Sequence, residues 1–186
     1  MIARLPWSVG AVCFGVDPVS SLLRRATSTY AVSVTRPFVR GRDPQRKLLR
    51  RDRAEWCLDS LDVLVHAGQQ IYLGQTLVRQ YAPAALAPSS RRTGSPVPPG
   101  SAPPKAVLDV YRSDEAGVRY STDPGVTRCG SLVLDVDQAE SGTTASTTSK
   151  SVVELSASFG SHELRLCAVD TASGRSVRTT VEFACQ

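Results

Sequence analysis

Between Val152 and Phe183 apolar and polar residues alternate in three short runs. Val153, Leu155, Ala157 and Phe159 interleave with Glu154, Ser156 and Ser158, and Gly160-Ser161 ends the run. Leu164, Leu166 and Ala168 interleave with Glu163, Arg165 and Cys167, and residues 170–174 break again. Val177, Thr179, Val181 and Phe183 complete the set. Side chains on a strand point to opposite faces in turn, so each run buries one face and wets the other. The breaks have hairpin length. This predicts a three-stranded antiparallel meander whose apolar face needs a second sheet to cover it.

The rest of the chain supplies that sheet. Tyr30 to Val34 reads as a strand. Leu61, Val63 and Val65 alternate, residues 66–70 turn, and Leu77 to Tyr81 extends again. Val107 to Tyr111, Val118 to Thr122 and Leu132 to Val136 are three more expected strands, the last two separated by an Asp123-Pro124-Gly125 turn. Two segments read as flexible loops. Residues 82–105 hold seven of the twelve prolines, and residues 138–150 are rich in Ser, Thr and Gly. No apolar run reaches the roughly 18–20 residues of a membrane helix, and residues 1–15 lack a convincing signal-peptidase site.

Charge is local. Residues 24–53 hold ten Lys or Arg against Asp43 and Asp52, a net of +8 beside +5 for the whole chain. Pro37, Gly41 and Pro44 make this stretch a loop. Phe38 is its one aromatic after the strand and no nucleic-acid motif accompanies it, so a solvated loop is the expected reading and nucleic-acid binding is not.

Chemistry has little to stand on. Cys13, Cys57, Cys129, Cys167 and Cys185 are scattered and odd in number, with no CxxC pair. Reduced thiols in a cytosolic protein fit this better than a disulfide framework or a zinc site. Phosphate-cradling glycine loops, the Gly-x-Ser-x-Gly elbow and His-Glu-x-x-His are all absent. His66 stands in a turn without a partner at ligand or triad spacing, and reads as solvent-facing. Asp109, Asp135 and Asp170 lie on or beside strands with nothing to pair them. No catalytic, cofactor-binding or metal-binding residue is expected.

Several stretches, in order, resemble the heat shock 70 kDa protein family, and most closely its divergent family-12 branch. Gly10-Ala11-Val12-Cys13-Phe14-Gly15-Val16-Asp17-Pro18 resembles the last helix of that branch's ATPase domain. Residues 24–34 resemble the crossover into its first strand. Lys47-Leu48-Leu49 and Trp56-Cys57 resemble its long first loop, and Leu73-Gly74 and Tyr81-Ala82-Pro83 follow in register. Thr122-Asp123-Pro124-Gly125-Val126 with Cys129-Gly130 is the most specific match. Residues 159–164, Ala168-Val169-Asp170 and Ser176-Val177 close the domain.

The resemblance implies a mainly β fold: an antiparallel β-sandwich of the chaperone substrate-binding type, after a short N-terminal helical remnant. It implies that residues 1–24 are the end of an actin-like ATPase domain and residues 25–186 the sandwich. The chain would then be a C-terminal fragment, without the nucleotide-binding core or the helical lid. ATP is implied for a full-length relative and no cofactor for this chain. The implied function is binding of a polypeptide segment without chemistry, in the cytoplasm and also the nucleus, with no membrane partner. By order along the chain the peptide site maps to Val34, Pro37 and Phe38 at the first strand's end, Tyr81 and Ala82 on the second arch, and Val107 behind them. Val34 and Val107 fit an ordinary core equally well, whereas Tyr81 and Phe38 would point to recognition if exposed. The basic loop adds acidic partners to the expectation. Two other readings fit the residues: a secreted immunoglobulin-like adhesion sandwich, and a truncated product with no role of its own.

Overall fold

The computed structural model describes residues 23–51, 53–86, 105–135 and 152–183. Among these, eleven strands pair throughout in the antiparallel sense. They are β1 (Leu23–Arg25), β2 (Thr29–Pro37), β3 (Leu48–Arg51), β4 (Ala54–Val65), β5 (Gln70–Tyr72), β6 (Thr76–Tyr81), β7 (Lys105–Ser113), β8 (Thr127–Asp135), β9 (Val153–Phe159), β10 (Glu163–Asp170) and β11 (Ser176–Glu182). One sheet has the order β3-β4-β2-β7-β8 and the other β11-β10-β9-β6, while β1 and β5 form a small pair at the side.

The C-terminal meander forms as its alternation predicts. Leu164 pairs with Phe159 and Val181, and Leu166 with Ala157 and Thr179. Asp170 stabilises the hairpin that follows β10. Its buried carboxylate accepts from the Ala172 N–H at 3.1 Å and the Ser173 hydroxyl at 2.7 Å, while Gly174 takes the left-handed φ of 71° that closes the turn.

The core lies between the two sheets. Val153, Leu155, Ala157, Phe159, Leu164 and Leu166 meet Tyr30, Val32, Leu108, Val110, Leu132 and Leu134. Phe183 is wedged between the layers, 5.3 Å from the Tyr30 ring and 5.5 Å from that of Phe159. The Tyr30 hydroxyl is satisfied by the Glu182 carbonyl at 3.0 Å, so a large polar-tipped side chain is buried without an orphaned donor. The expected β-sandwich is the observed fold.

Three expectations about elements need correction. The basic stretch is a loop over residues 38–44 and not throughout: Arg24 and Arg25 belong to β1, β2 runs on to Pro37, and a short 3-10 turn at Gln45–Lys47 leads into β3. Leu48 and Leu49 pair with Cys57 and Trp56 as an ordinary hairpin, and Pro37 ends β2, where its missing N–H removes little. Residues 118–122 are not a strand. Only Tyr120 makes a bridge, to Ser60, because the Asp123 carboxylate captures the N–H groups of Arg119 and Tyr120 at 2.9 Å each. Finally, residues 83–86 of the proline-rich stretch form a 3-10 turn, and Lys105 already belongs to β7. Residues 87–104 of that stretch, the Ser/Thr-rich loop and nearly all of the N-terminal remnant lie outside the described residues.

Candidate functional site

The pairing of β2 with β7 is short. It joins Thr29–Val32 to Val110–Ser113 and stops, although β2 continues to Pro37 and β7 begins as early as Lys105. The free halves of both strands keep their other neighbours, β4 and β8. The sheet therefore parts between them. The turn at Pro83–Leu86, held by an Ala85 N–H to Ala82 carbonyl bond of 2.8 Å, packs against both strands. Leu86 is 1% exposed and belongs to the core cluster that also holds Val32, Ala106 and Leu108. The turn thus brings one aliphatic side chain from outside the sheet into the core.

Six residues were expected at a peptide site, and the structure divides them. Val34 is half-buried and packs against the core cluster, paired with Ser60 on β4. Tyr81 is 9% exposed and lies in the same cluster. Its hydroxyl donates to Asp62 Oδ2 at 2.7 Å, and burial together with that carboxylate pushes its pKa upward. Ala82 is exposed and anchors the 3-10 turn. Tyr81 shares the core cluster with Leu86, Val34 packs against that cluster, and Ala82 opens the turn that carries Leu86. Val107 does not join them. It alternates with Ala106 and Leu108, which face the core, and so looks outward, paired with the 46% exposed Val133. Pro37 is exposed and Phe38 half-buried further along, where the Phe38 N–H donates to the Glu55 carbonyl at 3.0 Å. Neither aromatic is exposed. Leu86 itself was missed, and the signal was present: it is the one large aliphatic residue between Tyr81 and Val97.

Beside the parted strands, β2, β3 and β4 extend as an arm pinned by a buried polar network. Asp43 accepts two bonds from Arg36, at 2.6 and 3.0 Å. It also accepts the Tyr120 hydroxyl and the Val39 N–H at 2.8 Å each. The Arg36 guanidinium holds the Asp43 carboxyl far below the usual carboxylate range. Arg36 also donates to Ser60 Oγ at 2.8 Å. Lys47 is 4% exposed. Its ammonium donates to Thr122 Oγ1 at 2.7 Å, lies 3.4 Å from Asp59 and sits 5.0 Å from the centre of the Tyr120 ring. Arm and β7–β8 connection are tied further by the Leu61 N–H to Arg119 carbonyl and Ser121 N–H to Asp59 carbonyl bonds.

Among the described residues no group of three His, Cys, Asp or Glu could hold a metal. Cys57 is buried, Cys129 exposed and Cys167 half-buried, and all three are free thiols. Cys13 and Cys185 lie outside the described residues. His66 is solvent-facing, as expected, with Nδ1 3.1 Å from the Ala116 carbonyl. No helix among the described residues is long and apolar enough to cross a membrane.

Two face-packed antiparallel sheets, one of them with a short seam between β2 and β7, define a β-sandwich module. No family model matches the chain. Over 94% of its length, however, it is 35% identical to the human heat shock 70 kDa protein 12B, and 34% identical to the heat shock 70 kDa protein 12A of human and of mouse. The chain belongs to the family-12 branch of the heat shock 70 kDa proteins, and it spans about a quarter of the length of these relatives.

Proposed function

We propose that the chain is a polypeptide-binding module of a family-12 heat shock 70 kDa chaperone-like protein, acting without chemistry of its own. The observation that supports this most is the short pairing of β2 with β7, with the Pro83–Leu86 turn packed against both strands. The unpaired strand halves offer backbone groups to an extended segment. In this reading the buried Leu86, carried by that turn, stands in for the aliphatic side chain of a guest. A bound peptide would place such a side chain where Leu86 now lies, so binding competes with the Pro83–Leu86 turn.

The test is anisotropy of a labelled extended peptide with a central leucine, against the same peptide carrying serine. The leucine peptide should bind and the serine peptide should not. Leu86→Ala should tighten leucine-peptide binding severalfold by removing the competitor. If Leu86→Ala only lowers the melting temperature, with affinity unchanged, Leu86 is core and the reading fails. In this proposal the module binds no ATP, which a fluorescent ATP titration checks, and works in the cytoplasm and nucleus, which imaging of a tagged chain checks.

A further inference from the structure

The β2–β4 arm carries a surplus of positive charge that the acids among the described residues do not neutralise. From Arg40 to Glu55 there are seven Lys or Arg against Asp43, Asp52 and Glu55, a net of +4 of the chain's +5. The described acids are already engaged. Asp43 is enclosed by Arg36, Tyr120 and Val39, and Glu55 is shared by Arg40 at 2.8 Å and Arg50 at 3.5 Å. Lys47 is buried in its own contacts. Arg42, Arg46 and Arg53 remain exposed, with no acidic partner among the described residues.

Two of these arginines, Arg46 and Arg53, flank a strand edge that no described strand covers, and Arg42 lies in the turn before it. β3 is the outermost strand of the five-stranded sheet. The Leu48 N–H bonds the Gln45 carbonyl and so is turned away from β4. Backbone groups alternate along an antiparallel strand, so Arg50 also directs its N–H and C=O outward. Arg46 stands just before β3 and Arg53 just after it, bracketing an edge of about 13 Å at strand rise. Lys47 and Asp43 fix the arm from within, so the charges are presented on a scaffold already ordered.

We propose that the β3 edge docks an extended acidic polypeptide segment. Its backbone pairs with Arg50, and its carboxylates meet Arg46 and Arg53, with Arg42 beyond. Bare edges invite indiscriminate pairing, and a row of arginines turns away neutral and basic strands while admitting acidic ones. Among the described residues of the arm the exposed large apolar side chain is the aliphatic Val39, while the aromatics Phe38 and Trp56 are half-buried, which favours an acidic polypeptide over stacked nucleic-acid bases. This site is separate from the Leu86 region, and neither proposal depends on the other.

The probe is a fluorescein-labelled twelve-residue peptide rich in Glu, measured by anisotropy on the full chain at 50 and 200 mM salt. It should bind at low salt and weaken at high salt, while the Gln-substituted peptide should not bind. The combined variant Arg42→Gln, Arg46→Gln, Arg53→Gln should lose at least tenfold in affinity with an unchanged circular dichroism spectrum, whereas Arg178→Gln on the other sheet should lose nothing. N-methylation of alternate peptide amides should abolish binding if the backbone pairs. Equal binding of the Gln peptide, an unaffected triple variant, indifference to N-methylation, or tighter binding of a single-stranded oligonucleotide of equal charge would each overturn the proposal. The leucine peptide should bind the triple variant normally, which separates failure here from failure at the parted strands.

Discussion

Tyr81 on β6 and Asp62 on β4 join the two sheets through a single bond, phenol to carboxylate, at 2.7 Å. The donor is buried and the acceptor partly solvated, with Arg79 3.8 Å from the same oxygen. Tyr81→Phe should therefore cost about 1 kcal/mol, less than a fully buried charged hydrogen bond, because water can replace the phenol at Asp62. Thermal unfolding measures it. A loss above about 3 kcal/mol would mean that Asp62 is sealed from solvent in a way its exposure does not suggest.

Asp43 is the keystone of the arm. Asp43→Asn should destabilise the chain by about 2–3 kcal/mol, since it removes a buried carboxylate and leaves Arg36 without its counter-charge. The loss should be local first: amide exchange at Val39 and along β3 should speed up while the β9–β11 meander stays protected.

The same residue sets an acid dependence. The Asp43 carboxyl is held below its ordinary value of 3.8 in the folded chain. The unfolded chain therefore binds the proton more readily, and the stabilisation is complete above 3.8 and lost as pH falls toward the depressed folded value. Between pH 5 and pH 3 the wild-type arm should weaken, and Asp43→Asn should flatten that slope. Equal slopes in the two proteins would assign the acid sensitivity elsewhere.

Gly130 on β8 lies against β11 so closely that a Cβ would stand 2.9 Å from Val181 Cγ2. Gly130→Ala should cost about 1–3 kcal/mol by overpacking, and adding Val181→Ala should recover part of it. A non-additive double-mutant cycle is the expected signature.

Cys129 is exposed, and Cys57, on β4 between β2 and β3 of the arm, is buried. Brief maleimide treatment of folded protein should label Cys129 and spare Cys57, and denaturant should expose both. Mass spectrometry of the peptides reads the result. Equal native rates would mean that the arm opens freely.

Much of this architecture was legible because period-two alternation is unambiguous where one face is buried, as in Val153-Leu155-Ala157-Phe159. It was obscured where charge crowds a strand. Leu48-Leu49 sits inside a basic run, so a hairpin looked like a solvated loop. Residues 118–122 alternate too, but Asp123 takes the backbone donors a ladder would use. Leu86 was hidden by its proline-rich neighbours, because composition speaks of a segment's average and not of one side chain that reaches the core. The facing of Val107 was not legible either: order along the chain gives its strand, but only the register shows that Ala106 and Leu108 hold the inward positions.

With only Thr29–Val32 joined to Val110–Ser113, β2 and β7 share four rungs, and the rest of each strand has a described partner on one side alone. The two halves of the layer, β3-β4-β2 and β7-β8, meet again where Leu61 and Asp59 bond Arg119 and Ser121. On the proposed reading, a guest chain lying along the unpaired edges would stitch the halves together, so that occupancy would register as stiffness of the whole layer as well as burial of the guest.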